Sequence, residues 1–343
     1  MNNIDVYIIK HFNNNFEKLD KAKNFDNFVN DIKNYMKEDN IDINNDDVIS
    51  RLKTIKKYRK TLKELKKIPY IKQRTIEWLE ARKNRLTASD LSDAIKDGAA
   101  SLALAKKKAN VIIDNTDYNA IKPLKWGTMF EAMAERCYSK KYCNININEF
   151  GLICDKYNKH FAASPDGISD IGIMIEIKCP YSRKIIDGFI PPKYQTQMQG
   201  QLAVCELDEC HYIECEFKTY NTELEFIENI TENSDDIFGI IAEYNISEEG
   251  KKTEYEYLYS DDSDVYQFVY DSIKTKMASR SNENAKLIYW KLITMNIQQV
   301  NFNKKEWENT LPKINEFWNK VEDCRGLPIE NKTPKKITFI EDD

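Results

Sequence analysis

Three residues have the types and spacing needed for metal-assisted hydrolysis: Asp166, in Ser164-Pro165-Asp166-Gly167, and Glu176 and Lys178, in Glu176-Ile177-Lys178. In an extended strand alternate side chains share a face, so Glu176 and Lys178 project together while Ile177 points into a core. The intervening loop, residues 168–172, lets two strands pair and brings Asp166 beside them. Carboxylates are hard oxygen ligands suited to Mg²⁺, which keeps several waters and also binds phosphate. A lysine beside them can orient or activate a water. Charges on a strand flanked by Ile175, Ile177 and Cys179 are unusual as structure alone, because acids and lysines are rarely buried unless paired. Glu-x-Lys by itself reads as the polar face of an edge strand; Pro-Asp-Gly in register reverses that preference.

The elements that would position these groups follow from apolar spacing. Helices are predicted over residues 75–83, 89–96 (capped by Thr87 or Ser89), 126–140 and 194–206, and strands over 149–154, 160–163, 173–178 and 210–217. Helix, strands, helix and strand in that order is an α/β arrangement. Before it, Phe12, Phe16, Leu19, Leu52, Ile55, Leu62 and Leu65 recur at helical intervals. After it, Val265, Phe268, Val269 and Ile273, then Leu287, Trp290 and Leu292, predict further helices, ending in one over 307–321. The expected division is a helical N-terminal extension (1–70), a core (71–218), and acidic loops with a mostly helical C-terminal region (219–343).

Composition narrows the classes. With 343 residues, 41% apolar, 31% charged and 11% aromatic, the chain is globular and long enough to bury a substantial core. No stretch matches a membrane helix, and Met1-Asn2-Asn3-Ile4-Asp5 lacks a secretory pattern, so an intracellular location is expected. Eight cysteines without a CxxC pair read as reduced thiols. No Gly-rich phosphate loop is present, and His11, His160 and His211 lie in no nucleophile motif. The net charge of −5 argues against a uniformly basic nucleic-acid coat but conceals local runs. Residues 51–85 hold 14 Lys and Arg against three Glu, and residues 219–264 hold 14 Asp and Glu against two Lys. By itself each run reads as a solvated face, the acidic one as a boundary or exposed loops, while for the basic run the motifs below imply contact with DNA phosphates.

The ordered motifs resemble the PD-(D/E)xK nuclease superfamily, and within it the phage lambda exonuclease and YqaJ-type viral recombinase family. They are Trp78-Leu79-Glu80-Ala81-Arg82 with Arg85-Leu86-Thr87-Ala88-Ser89, then Trp126-Gly127 with Glu131, Ser164-Pro165-Asp166-Gly167, Glu176-Ile177-Lys178-Cys179-Pro180, and Tyr194-Gln195-Thr196-Gln197-Met198-Gln199. The resemblance spans about residues 74–217. It implies a restriction-endonuclease-like core, a mixed central sheet flanked by helices, with helical N- and C-terminal extensions. It implies metal binding by Asp166, Glu176, the Ile177 carbonyl and Glu131, a catalytic role for Lys178, and Gln199 beside the nucleophilic water with Gln197 as its neighbour. Arg82 and Ser89 would hold a terminal 5′-phosphate. The implied cofactor is Mg²⁺, with Mn²⁺ as a substitute. No iron-sulfur cluster is expected, since Cys205, Cys210 and Cys215 straddle a predicted helix end and strand. The implied activity is 5′-to-3′ exonuclease digestion of linear duplex DNA in recombination, repair or genome processing. The alternatives are a structure-specific or nicking endonuclease on the same core, or a DNA-binding recombination scaffold with weak nuclease activity. A homo-oligomer, a single-strand annealing protein or helicase as partner, and a viral setting in host cytoplasm or nucleus are left open.

Overall fold

The computed structural model describes residues 4–73, 75–232, 236–280 and 285–331. Four helices open the chain: α1 (Ile4–Phe12), α2 (Glu17–Lys21), α3 (Asp26–Glu38) and α4 (Asn45–Leu65). Each buries one apolar stripe, with Ile8, Leu19, Ile32, Leu52 and Ile55 fully shielded. Asn44 caps α4 by accepting from the Asp46 amide at 3.1 Å.

The α4 part of the basic run is largely neutralised within the fold. Arg51 binds Asp5 at 2.6 Å and Glu209 at 2.7 Å, Arg59 binds Asp20 at 2.8 Å, and Lys57 and Lys63 pair with Asp208 and Asp20. The expectation of a phosphate-binding run is therefore corrected for Arg51 and Arg59, whose partners come from distant segments. Arg74 lies outside the described residues.

The remainder is built from α5 (Ile76–Lys83), β1 (Leu86–Thr87), a 3₁₀ turn (Ala88–Asp90) running into α6 (Leu91–Ala94), α7 (Ala99–Lys108), β2 (Ile112–Ile113) and α8 (Lys122–Lys141). Short strands follow: β3 (Ile147–Asn148), β4 (Ile153–Cys154), β5 (Phe161–Ala163), β6 (Gly167–Ser169) and β7 (Met174–Lys178). Then come α9 (Pro192–Cys205), β8 (Glu209–Tyr220), α10 (Glu223–Asn229), β9 (Phe238–Asn245), β10 (Tyr255–Tyr259), α11 (Tyr266–Ala278), β11 (Lys286–Asn301), α12 (Lys304–Cys324) and β12 (Glu330–Asn331).

Seven strands form one mixed sheet in the order β10-β9-β11-β8-β7-β6-β3. Among the described residues of this sheet only the β7–β8 pair is parallel, and α9 is the crossover that joins these two strands. On one face Ile175, Ile177 and Ile213 pack in a cluster with Met129, Phe130 and Met133 of α8. On the other, Met174, Cys210 and Tyr212 cluster with Met198 and Leu202 of α9. The fold is thus α/β, a mixed sheet flanked by helices.

Two expectations for the C-terminal region need correction. Leu287, Trp290 and Leu292 lie on a strand: β11 runs antiparallel to β8 and β9, with a bulge between Leu292 and Thr294. The acidic run is not only loops, because it contains β9, whose Phe238, Ile240, Ile241, Ala242 and Tyr244 are buried. Its Asn233, Ser234 and Asp235 lie outside the described residues. The sheet consequently continues across position 218.

Candidate active site

The register of two strands assembles the acidic face. In the β6–β7 hairpin Gly167 pairs with Ile175, which sets Asp166 next to Glu176. Asp166 Oδ2 accepts from the Ile177 amide at 2.7 Å. Glu176 is fully buried and Lys178 donates to its Oε1. Ile177 turns into the core, as strand alternation requires. The turn of this hairpin is held from outside: Gly172 has φ +79°, and a Cβ there would lie 2.5 Å from the Cβ of Tyr58 on α4. Arg59 of the same helix donates to the Asp170 carbonyl.

Helix α9 supplies the amides. Gln197 Nε2 donates to Glu176 Oε1 at 2.6 Å and Gln201 Nε2 donates to Glu176 Oε2 at 2.7 Å. These two are one helical turn apart and share a face. Gln199 points elsewhere: its Nε2 donates to the Asn301 carbonyl at 3.0 Å, and its Oε1 accepts from the Asn303 amide at 2.7 Å. The expectation that Gln199 stands beside Lys178 is therefore corrected, because two residues along a helix rotate a side chain to roughly the opposite side. Gln201 was not anticipated, although its i+4 spacing from Gln197 was visible in the sequence. The ammonium of Lys178 also lies 5.0 Å from the centre of the Tyr194 ring.

The charges at this site act on one another. Burial and then the Glu176 carboxylate push the Asp166 carboxyl well above the ordinary range; Lys178 opposes them, and Glu131 pushes the same way. Burial would lower Lys178, but Glu176 and Asp166 outweigh it and hold the ammonium protonated. Glu131, on α8, thus lies within electrostatic reach of Asp166. One turn further along, burial, Glu149 and Glu131 push Glu135 up to about 7.

Among the described residues no three carboxylate, imidazole or thiolate groups converge as a preassembled metal cage. The chemistry of the donor set nevertheless fits a hard divalent cation: Asp166 and Glu176 lie side by side, Glu131 adds negative charge, and Gln201 Oε1 is a buried oxygen without a hydrogen-bond partner.

A second cluster surrounds Arg82. Its guanidinium stacks 4.1 Å above the Trp78 ring, and its Nη2 reaches Thr87 Oγ1 at 3.1 Å and Ser89 Oγ at 3.3 Å. Arg82 and Ser89 are thus brought together. The helical cap expected of Thr87 or Ser89 is absent: Thr87 instead donates to the Asp90 carboxylate at 3.0 Å. Trp78 Nε1 donates to Ser164 Oγ at 3.2 Å, tying this cluster to the Ser164-Pro165-Asp166-Gly167 turn. A second tie runs through Gly200 of α9, where a Cβ would come within 3.3 Å of Ala88 and 3.1 Å of Leu91.

One comparison with known proteins falls on the segment that holds these residues, and others extend beyond it. Residues 77–208 match the model of the YqaJ-like viral recombinase domain. An uncharacterized protein of Acanthamoeba polyphaga mimivirus is 27% identical over 321 residues, covering 81% of this chain and 57% of that protein. The chain therefore spans less than two thirds of that relative's length. Among solved structures, an alkaline exonuclease from Laribacter hongkongensis superposes with a TM-score of 0.44 at 17% identity, covering 73% of this chain and 93% of that one. A phage-related exonuclease from Haemophilus somnus gives 0.37 at 11% identity, covering 70% and 93%.

Proposed function

From the match of residues 77–208 to the YqaJ-like viral recombinase domain we propose that this chain is a DNA exonuclease that hydrolyses linear duplex DNA from the 5′ end with Mg²⁺. The observation that carries the reading is the convergence of Asp166, Glu176 and Lys178 on one face of the sheet. Asp166, Glu176, the Ile177 carbonyl and Glu131 would hold the cation, with Mn²⁺ as a substitute. The bound cation would supply Lewis-acid polarisation of the scissile phosphate.

The chain's own groups do the rest. Lys178 is held protonated between two carboxylates, so it acts as a fixed positive charge that orients a water and offsets charge developing on the phosphate. Gln197 and Gln201 hold the Glu176 carboxylate from both oxygens and set its plane. Arg82, Thr87 and Ser89 offer a guanidinium fork and two hydroxyls to a terminal phosphate. Trp78 links that end pocket to Ser164, so an anchored terminus is placed in register with the acidic face.

The test is degradation of end-labelled linear and circular duplex DNA, with Mg²⁺ or with EDTA. Loss of linear DNA only, stopped by EDTA, is expected. Cutting of circles would favour the endonuclease alternative, and no cutting at all would leave a DNA-binding scaffold. Duplexes with a 5′-phosphate should be degraded roughly 10- to 100-fold faster than those with a 5′-hydroxyl. Equal rates would remove the end pocket.

A further inference from the structure

Arg82 does not stand alone at its pocket. Lys108, the last residue of α7, carries its ammonium to 3.2 Å from Asp90 Oδ2 and 3.4 Å from the Arg82 carbonyl oxygen, with 10% of its side chain exposed. Asp90 also accepts from Thr87, the hydroxyl that Arg82 contacts. One carboxylate therefore serves two cations, Lys108 directly and Arg82 through the Thr87 hydroxyl, and the cluster holds a surplus of one positive charge. Burial lowers Lys108 and the neighbouring Arg82 charge lowers it further, while Asp90 opposes both. A purely structural link between α7 and the 3₁₀ turn would need only Lys108 and Asp90, which balance. The added guanidinium leaves one positive charge that an incoming anion would offset.

We propose that Lys108 is a second recognition residue of the end pocket, acting with Arg82 on a terminal phosphate, and that Asp90 is the counter-charge that tunes it. The inference rests on the reading of Arg82 and Ser89 as a 5′-phosphate pocket. Its specific content is discrimination by ligand charge. A terminal phosphate monoester carries about 1.5 to 2 negative charges near neutral pH, whereas an internal diester carries one. A cluster with surplus positive charge attracts the monoester more strongly, in proportion to that charge. Without Lys108, Arg82 and Asp90 balance and this advantage falls away.

The experiment measures KM and kcat on otherwise identical linear duplexes carrying a 5′-phosphate or a 5′-hydroxyl. Wild type is compared with Lys108→Gln, Lys108→Arg and Asp90→Asn. Lys108→Gln should cut the preference for the phosphorylated end roughly tenfold, read as a rise in KM for that substrate. Lys108→Arg should recover most of it, and Asp90→Asn should increase it. A structural role would lower activity on both ends together and leave their ratio unchanged, so an unchanged ratio in Lys108→Gln overturns the proposal. Should that variant fail to fold, an unchanged ratio in Asp90→Asn overturns it equally. If wild type prefers the phosphate but the ratio ignores Lys108 and Asp90, only this inference fails. If wild type shows no preference, the end pocket fails and the inference with it.

Discussion

The two regions that flank residues 77–208 reach the candidate site by different physics. The N-terminal helices arrive as charges: α4 sends Arg51 to Glu209 at the start of β8, and Arg59 to the turn of the β6–β7 hairpin. The C-terminal region arrives as backbone, with β11 paired along β8 and its end gripped by Gln199. The first support is a few buried contacts that single substitutions can remove. The second is a hydrogen-bond ladder spread over many residues, which no single side chain controls. A supporting region outside the matched domain can therefore be fragile or robust according to whether it is joined by side chains or by strands.

The reference for either flank is loss of the site itself. Lys178→Ala should lower cleavage by about 10³-fold or more without lowering the melting temperature, because a fixed positive charge facing the phosphate disappears. Near-normal cleavage in Mg²⁺ would mean that the acidic face is not the active site.

The N-terminal support should be the next most sensitive. Arg59→Met leaves the buried Asp20 with Lys63 alone and frees the Asp170 carbonyl, at a cost of about 3 kcal/mol in chemical denaturation. Cleavage should fall with it, since the same hairpin carries Asp166 and Glu176. A stable variant with full activity would break the comparison.

Acid should act on the same flank. Burial alone would raise Glu209, but His211, 3.6 Å away, and the hydrogen bonds from Arg51 outweigh it and bring its carboxyl from 4.5 down to about 2. A depressed carboxyl contributes stability above its unfolded value and loses it as pH falls through the folded one. Glu209 should thus contribute about 3 kcal/mol above pH 4.5 that disappears towards pH 2. Deeper in the fold, burial raises Asp5 despite Arg51, which gives a contribution of opposite sign. Comparing Glu209→Gln with wild type isolates the first: the variant's stability should change less with pH across that window.

The smallest effect separates the two faces of α9. Gln199→Ala should cost about 1–2 kcal/mol of stability by unfastening Asn301 and Asn303, and retain most cleavage. Gln197→Ala should do the reverse, lowering cleavage while the melting temperature holds. The opposite assignment would return Gln199 to the site.

The carboxylates were legible in the sequence because strand alternation is strict: once Glu176 and Lys178 flank Ile177, their shared face follows. The amide that faces them was not, since glutamines at 195, 197, 199 and 201 offer several faces of one helix. Only the position of β11 decides which face turns outward. That strand was itself hidden, because Leu287, Trp290 and Leu292 fit a helical stripe as well as a strand buried on both sides. Charge windows misled in both directions. The partners of Arg51 and Arg59 lie far along the chain, and the apolar run of β9 is masked by the acids around it.

The clamp of α4 on the β6–β7 turn also orders events in time. Arg59 precedes Asp170 by 111 residues, and Arg51 precedes Glu209 by 158. At a synthesis rate of about 5–20 residues per second, the nascent α4 waits on the order of ten seconds for the hairpin. During that interval its two arginines already have Asp5 and Asp20, both made earlier. The helical bundle can therefore leave the ribosome with these charges matched, and serve as the template against which the β6–β7 hairpin closes.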